Sequence, residues 1–216
     1  MLKSAETIAA TSFSIIHQRL AEMGYHFTPP MAAVVERIIH STADFEFAEL
    51  TRVSPDAIEA GVAALLDGRP IITDVNMVKV GISSPRLARL GCVTYCFVAN
   101  EEVHTRAEDE GITRSAMGIR TAVERGILSR SIVAIGNAPT ALQEVVRIIE
   151  MGTRPALVIG VPVGFVGTAE SKTALMAQTS VPWIVTTGCK GGSTIAVAIL
   201  NALLRLTSGT PPAAID

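Results

Sequence analysis

Two groups of residues have the types and spacing for chemistry: a histidine–arginine pair on one helical face, and three glycine-bearing loops that each run into a helix. The pair is Arg37 and His40, three residues apart and so neighbours on a helix. Val34, Val35, Ile38 and Ile39 mark the apolar face of that helix, and at about 100° per residue Arg37 and His40 fall on the opposite side. A histidine exchanges a proton near neutral pH, and its charge responds to its neighbours. Arg37 opposes a positive charge on His40, whereas Asp44, Glu46, the helix C-terminus or a bound carboxylate favours one. The spacing predicts a tuned acid/base group at His40. A capping or surface histidine is the plainer alternative, and it is the reading for His17, His26 and His104.

The loops are Gly136-Asn137-Ala138-Pro139-Thr140, the stretch from Gly160 to Lys172 containing Gly164 and Gly167, and Thr186-Thr187-Gly188-Cys189-Lys190-Gly191-Gly192-Ser193. Glycine lets a backbone turn sharply and approach a ligand closely. Free N–H groups and the helix dipole favour anions where such a loop enters a helix. Any one of these loops is explained by turn chemistry alone; three along one edge predict a cradle for a ligand with several carboxylates or phosphates. None matches Gly-x-x-x-x-Gly-Lys-[Ser/Thr], and Gly160 to Gly167 is not Gly-x-Gly-x-x-Gly, so the motifs do not support a nucleotide phosphate loop.

The elements that must position these residues follow from periodicity. Helices are predicted over 5–22, with Ile8, Ile15, Ile16, Leu20 and Met23 near one face, and over about 30–40, with Thr28 as cap and Pro29 and Pro30 in the first turn. Another is predicted over 55–66, with Ser54 as cap and Gly68 beyond its end. Strands are predicted at 71–73 and 93–98, which puts Cys92 and Cys96 on one side as core residues, and helices at about 100–110 and 113–124. Three strand–loop–helix units follow, with strands 131–136, 156–160 and 183–186 and helices 139–150, 169–178 and 194–206. That alternation predicts an α/β fold with a mainly parallel sheet and helices on both faces. The expected organisation is one domain over 1–216, with an N-terminal helical segment of about 1–68 packed on the α/β core and a frayed tail at 207–216.

Composition narrows the function classes. The chain has 216 residues, 49% apolar but only 4% aromatic, which suits Ala-, Val-, Ile- and Leu-rich buried strands. Its most apolar late stretch, 194–204, contains Asn201 and is far short of the roughly 20 residues of a membrane span. The surplus hydrophobicity predicts a subunit interface. A net charge of −2 without a basic block argues against nucleic acid. Three cysteines without Cys-x-x-Cys give no disulfide framework and fit a reduced, cytoplasmic compartment; no His/Cys/carboxylate spacing calls for a protein-bound metal.

Several runs resemble one family, the precorrin-8X and cobalt-precorrin-8 methylmutases. They are Ile38-Ile39-His40-Ser41-Thr42-Ala43-Asp44-Phe45-Glu46-Phe47, Ile135-Gly136-Asn137-Ala138-Pro139-Thr140-Ala141-Leu142, and Gly160 to Gly167 with Ala169-Glu170-Ser171-Lys172. Gly111-Ile112-Thr113-Arg114-Ser115 and Thr73-Asp74-Val75 with Met77 also fit, and the resemblance extends from Ser12-Phe13 to the last helix. It implies a three-layer, flavodoxin-like fold, a homodimer with active sites near the interface, and an isomerase of cobalamin biosynthesis. That isomerase moves a methyl group from ring carbon 11 to ring carbon 12 of a tetrapyrrole, giving hydrogenobyrinate or cobyrinate. The shift is intramolecular, so neither methyl donor nor redox cofactor is implied. His40 stands at the position of the family's acid/base residue, Ser12 and Arg37 at substrate-contact positions, and Arg114 at a further one. Asn137, Thr140, Gly164, Gly167, Gly191, Gly192 and Ser193 supply the carboxylate cradle. The last loop departs from the family's Arg-Gly-Arg-x-Gly-Gly-Ser: Thr187 and Cys189 stand where arginines are usual, leaving Lys190 as its cation. The run Thr42-Ala43-Asp44-Phe45 looks more like the cobalt-containing branch, with cobalt part of the substrate. A corrinoid carrier without turnover and a flavodoxin-like nucleotide-binding domain are the competing functions; the carrier would not need His40, and the nucleotide binder would retain a flavin or nucleotide.

Overall fold

The computed structural model describes residues 5–208, with side chains from Thr7 onward. Helices α1 (Ala5–Glu22) and α2 (Pro29–Thr42) lead through the single turn α3 (Phe47–Leu50) into β1 (Thr51–Val53) and helix α4 (Ala57–Leu66). Then come β2 (Ile71–Thr73), α5 (Asn76–Gly81), α6 (Ser84–Leu90), β3 (Thr94–Tyr95), α7 (Glu101–Asp109) and α8 (Arg114–Glu124). The remainder alternates as β4 (Ile132–Ile135), α9 (Pro139–Glu150), β5 (Leu157–Gly160), α10 (Thr168–Met176), β6 (Trp183–Thr186) and α11 (Ser193–Leu206).

The strands form one sheet in the order β1-β6-β5-β4-β2-β3, parallel throughout except for β1, which pairs antiparallel with β6. Successive strand residues point to opposite faces, and here both faces are dry. Ile71, Ile132, Ala134, Leu157 and Ile159 join a core with α1, α2, α4 and α11. Ile72, Val133, Ile135, Val158 and Val185 join a second core with α7, α8 and α9. The result is three layers, as expected. The strand order reverses direction between β2 and β4, and in such sheets ligands bind outside the carboxyl ends of the strands at that point.

Several local expectations give way to tertiary structure. On α1 the buried stripe is Ala9, Phe13, Ile16 and Leu20, while Ile8, Ile15 and Met23 face outward. Thr28 occupies the N-cap position of α2 but makes no side-chain cap bond; Pro30 removes the donor at the second helical position, and the Met31 N–H is not used. Ser54 does not cap α4. Its hydroxyl accepts from the Trp183 N–H at 2.8 Å and so stitches the end of β1 to β6, and Asp56 (φ 59°) takes the N-cap position. The strand predicted over 93–98 shortens to Thr94–Tyr95, because Phe97 turns inward against the Arg125 guanidinium. The segment 1–68 is not all helical, since it supplies β1. Of the tail, residues 209–216 lie outside the described part. Among the described residues no helix is long and apolar enough to cross a membrane.

Candidate active site

Helix α2 seats Val34, Val35, Ile38 and Ile39 in the core at 1% exposure or less, which turns Arg37 and His40 away from it. There α1 supplies a residue that spacing alone did not single out. The Phe13 ring stacks on the His40 imidazole, with centroids 4.7 Å apart and planes 11° from parallel. The Arg37 guanidinium carbon lies 4.9 Å from the centroid of the same ring. Phe13 thus fixes the imidazole plane and the guanidinium together. Ser12 precedes it, its hydroxyl donating to the Ile8 carbonyl at 3.0 Å. His17 is spoken for by the buried Glu36 carboxylate at 2.8 Å, and His104 by Glu108.

Burial, and then the neighbouring Arg37 charge, lower the His40 pKa from its ordinary value. The imidazole is therefore poised as the neutral form. Replacing Arg37 with glutamine should raise the His40 pKa; an NMR titration of the imidazole protons measures the shift, and a fall would contradict this account.

Asp44 and Glu46 do not pair with His40. Ala43 ends α2 in the left-handed conformation (φ 54°) and turns the chain, and both carboxylates instead reach the Lys190 ammonium at 2.6 Å each. The last loop is thereby fastened to the segment that follows α2. Lys190, expected to be that loop's cation for substrate, already has two carboxylate partners.

The loops after β4, β5 and β6 meet as expected. A Cβ on Gly136 would come within 2.8 Å of the Ser193 Cα, and one on Gly191 within about the same distance of the Pro162 carbonyl oxygen, 2.6 Å, so only glycine permits these approaches. The Gly192 N–H donates to the Val161 carbonyl and the Gly164 N–H to that of Cys189. The first of the three anticipated anion sites, however, is filled by the protein itself. The Asp74 carboxylate, just beyond β2, accepts from the N–H groups of Gly136 (3.0 Å), Asn137 (2.8 Å) and Ala138 (2.8 Å) at the start of α9. Burial pushes this carboxyl up against the opposing pull of the three donors. What Asn137 and Thr140 can offer a ligand is their side chains: Asn137 is exposed, and the Thr140 hydroxyl lies 2.7 Å from that of Thr113, which caps α8. Arg114, the first residue of α8, is exposed beside them.

At α10 the arrangement differs. Gly167 occupies the N-cap position with φ 71° and offers no capping side chain, and the one acidic residue of the first turn is Glu170, which is exposed. The adjoining Thr168 hydroxyl is buried without a partner among the described residues. Val163, Phe165 and Val166 on the same loop project outward, Phe165 at 94% exposure. Lys172, one turn into α10, is fully buried, and its ammonium donates to the carbonyls of Gly188 (2.9 Å) and Lys190 (2.7 Å). Burial lowers its pKa to about 8.

Residues 7–206 match the family described as Precorrin-8X methylmutase. The chain belongs to the precorrin-8X methylmutase family. Among its relatives, the cobalt-precorrin-8 methylmutase of Leptospira interrogans is 48% identical over 204 residues, 91% of each chain. The precorrin-8X methylmutase of a Sinorhizobium species is 36% identical, over 94% of this chain and 96% of that one. The crystal structure of the precorrin-8X methylmutase of Thermus thermophilus superposes with a TM-score of 0.87 at 46% identity, over 94% of this chain and 96% of that one. The methylmutase is thus an isomerase of cobalamin biosynthesis, acting on a corrin precursor.

In this methylmutase the signals that spacing missed are buried polar groups. Asp74 and Lys172 sit in quoted motifs, yet only the fold shows that one fills a helix N-terminus and the other holds a loop. Lys172 carries a pH signature. Its folded value lies below the ordinary 10.5, so between about pH 8 and that value the unfolded chain binds the extra proton and stability rises with pH. Lys172→Met should flatten that rise, as read from thermal midpoints across about pH 7.5 to 9.5.

Proposed function

We propose that His40 is the acid/base residue for the shift of a methyl group from ring carbon 11 to ring carbon 12 of the corrin precursor. The bond from the methyl to carbon 11 breaks, the bond to carbon 12 forms, and a proton placed on the macrocycle by His40 favours the rearrangement. The observation that carries this reading is the stacked His40–Phe13 pair beside Arg37. It holds an imidazole whose pKa is lowered and that has no carboxylate partner among the described residues. A substrate carboxylate brought in by Arg37 and Ser12 supplies the missing negative charge and raises the imidazole pKa, so the substrate completes its own proton donor. Arg114, Asn137 and Thr140 would contact the macrocycle's substituents at the switch point. Gly164 and Gly167 would offer the α10 N-terminus to a carboxylate, with the unpartnered Thr168 hydroxyl beside it. Gly191, Gly192 and Ser193 shape the facing wall. Lys190 serves chiefly to hold that wall against Asp44 and Glu46.

The run Thr42-Ala43-Asp44-Phe45 supports the cobalt-containing substrate; identity does not separate the two, at 48% to the cobalt-precorrin-8 relative and 46% to the precorrin-8X methylmutase of known structure. A homodimer goes with the outward Ile8 and Ile15 of α1 and with Phe165 and Val166, which a second copy would cover. A cytoplasmic setting goes with the free thiols of Cys92, Cys96 and Cys189. The test is turnover of purified protein with cobalt-containing and metal-free precursor, followed by the absorption change on corrin formation. Faster turnover of the cobalt form is expected. Faster metal-free turnover would reverse the substrate choice, and tight binding without turnover of either would overturn the catalytic role.

A further inference from the structure

Three arginines stand at the opposite edge of the sheet from the proposed substrate cradle, one before each of three adjacent parallel strands: Arg69 before β2, Arg130 before β4 and Arg154 before β5. They line an open cavity of about 310 Å³ whose floor is formed by small α4 residues such as Ala60 and Ala64. Asp67 is the one carboxylate lining it, and it is engaged with Arg69 at 3.3 Å. Arg154 is fixed by donating to the carbonyls of Ile149 and Thr153, and the Arg130 backbone N–H donates to the Arg154 carbonyl at 2.8 Å. The Arg130 guanidinium itself makes no hydrogen bond or ion pair among the described residues. Its backbone is left-handed, φ 61°, a conformation that favours glycine.

We propose that these three arginines form a second binding site, separate from the methyl-shift centre, for a small phosphate-bearing ligand. Guanidinium forks match phosphate oxygens two at a time, and a phosphate offers enough oxygens and charge to engage all three. The volume fits a phosphorylated small molecule and is too small for a corrin macrocycle. Arg130 is the cation left for the ligand, while Arg154 and Arg69 are pre-positioned by carbonyls and by Asp67.

Arg130→Gly gives a discriminating test, because glycine suits the left-handed backbone and the variant should keep its fold and its methyl turnover. Isothermal titration calorimetry would use inorganic phosphate, pyrophosphate and citrate on the wild type, Arg130→Gly and Arg37→Gln. The expected result is saturable phosphate or pyrophosphate binding, weakened about tenfold or more by Arg130→Gly and unchanged by Arg37→Gln. The proposal is overturned by absence of saturable binding of the phosphate probes, by equal affinity in Arg130→Gly, or by loss in Arg37→Gln, which would place the anion at the substrate cradle. Binding of citrate alone would overturn the phosphate assignment.

Discussion

Replacing His40 with asparagine should cut methyl-shift turnover by about 10²- to 10⁴-fold, the range ascribed to a positioned proton donor or acceptor, while leaving substrate affinity nearly unchanged. Asparagine keeps a planar polar group against the Phe13 ring but cannot exchange a proton near neutral pH. His40 is exposed and its one ring partner among the described residues is Phe13, so the fold loses little. Single-turnover absorbance and equilibrium binding with the same precursor separate the two quantities. Unchanged turnover would remove His40 from the chemistry, and a parallel loss of affinity would make it a binding residue. In the wild type, if the protonated imidazole is the active form in the complex, the rate falls as pH rises through its pKa there.

Replacing Asp74 with alanine should destabilise the protein by on the order of 3–5 kcal/mol, read from the urea midpoint. Asp74 is 2% exposed, and its carboxylate satisfies three backbone N–H groups of the loop that leads into α9, Ala138 being the N-cap residue. The Asp74 carbonyl accepts from the Ser115 hydroxyl, so β2, α8 and α9 are joined at this one residue. Alanine leaves the buried Gly136 donor and the half-buried Asn137 and Ala138 donors without their acceptor, beside a void. Asparagine should recover part of the loss, because its amide oxygen still accepts while its NH₂ faces other donors. A loss below about 1 kcal/mol for alanine would show that water or a neighbouring group replaces the carboxylate.

The parts of the fold legible from sequence are those in which local chemistry and tertiary position agree. The units from β4 to α11 were readable because apolar strands are bounded by glycine and proline, and α9 begins at Pro139 and ends at Glu150 as predicted. The outward placement of Arg37 and His40 was readable because four consecutive-face aliphatics define the inside of α2. β1 was not, since three residues carry no period and its pairing with β6 lies more than a hundred residues away. Neither were α5 and α6, each of two turns or less. Ser54 looked like a cap because serine before a proline often is one; its hydroxyl found a strand N–H instead. In the site, Asp44 and Glu46 looked like partners of His40 through nearness in sequence, until the left-handed Ala43 sent them to Lys190. Phe13, Asp74 and Lys172 act across the fold, and no spacing within one segment announces such contacts.

The dry inner face of α2 bears on the time course of the reaction. Val34, Val35, Ile38 and Ile39 are seated in the core, where α2 packs along α11. Amide protons on such a face exchange with solvent only when the whole molecule opens. The loop bearing Phe165 and Val166 lies at the other extreme, with its side chains in water. If His40 is the proton donor, its backbone is a fixed post on the scale of a single turnover, and the search for alignment falls to the substrate.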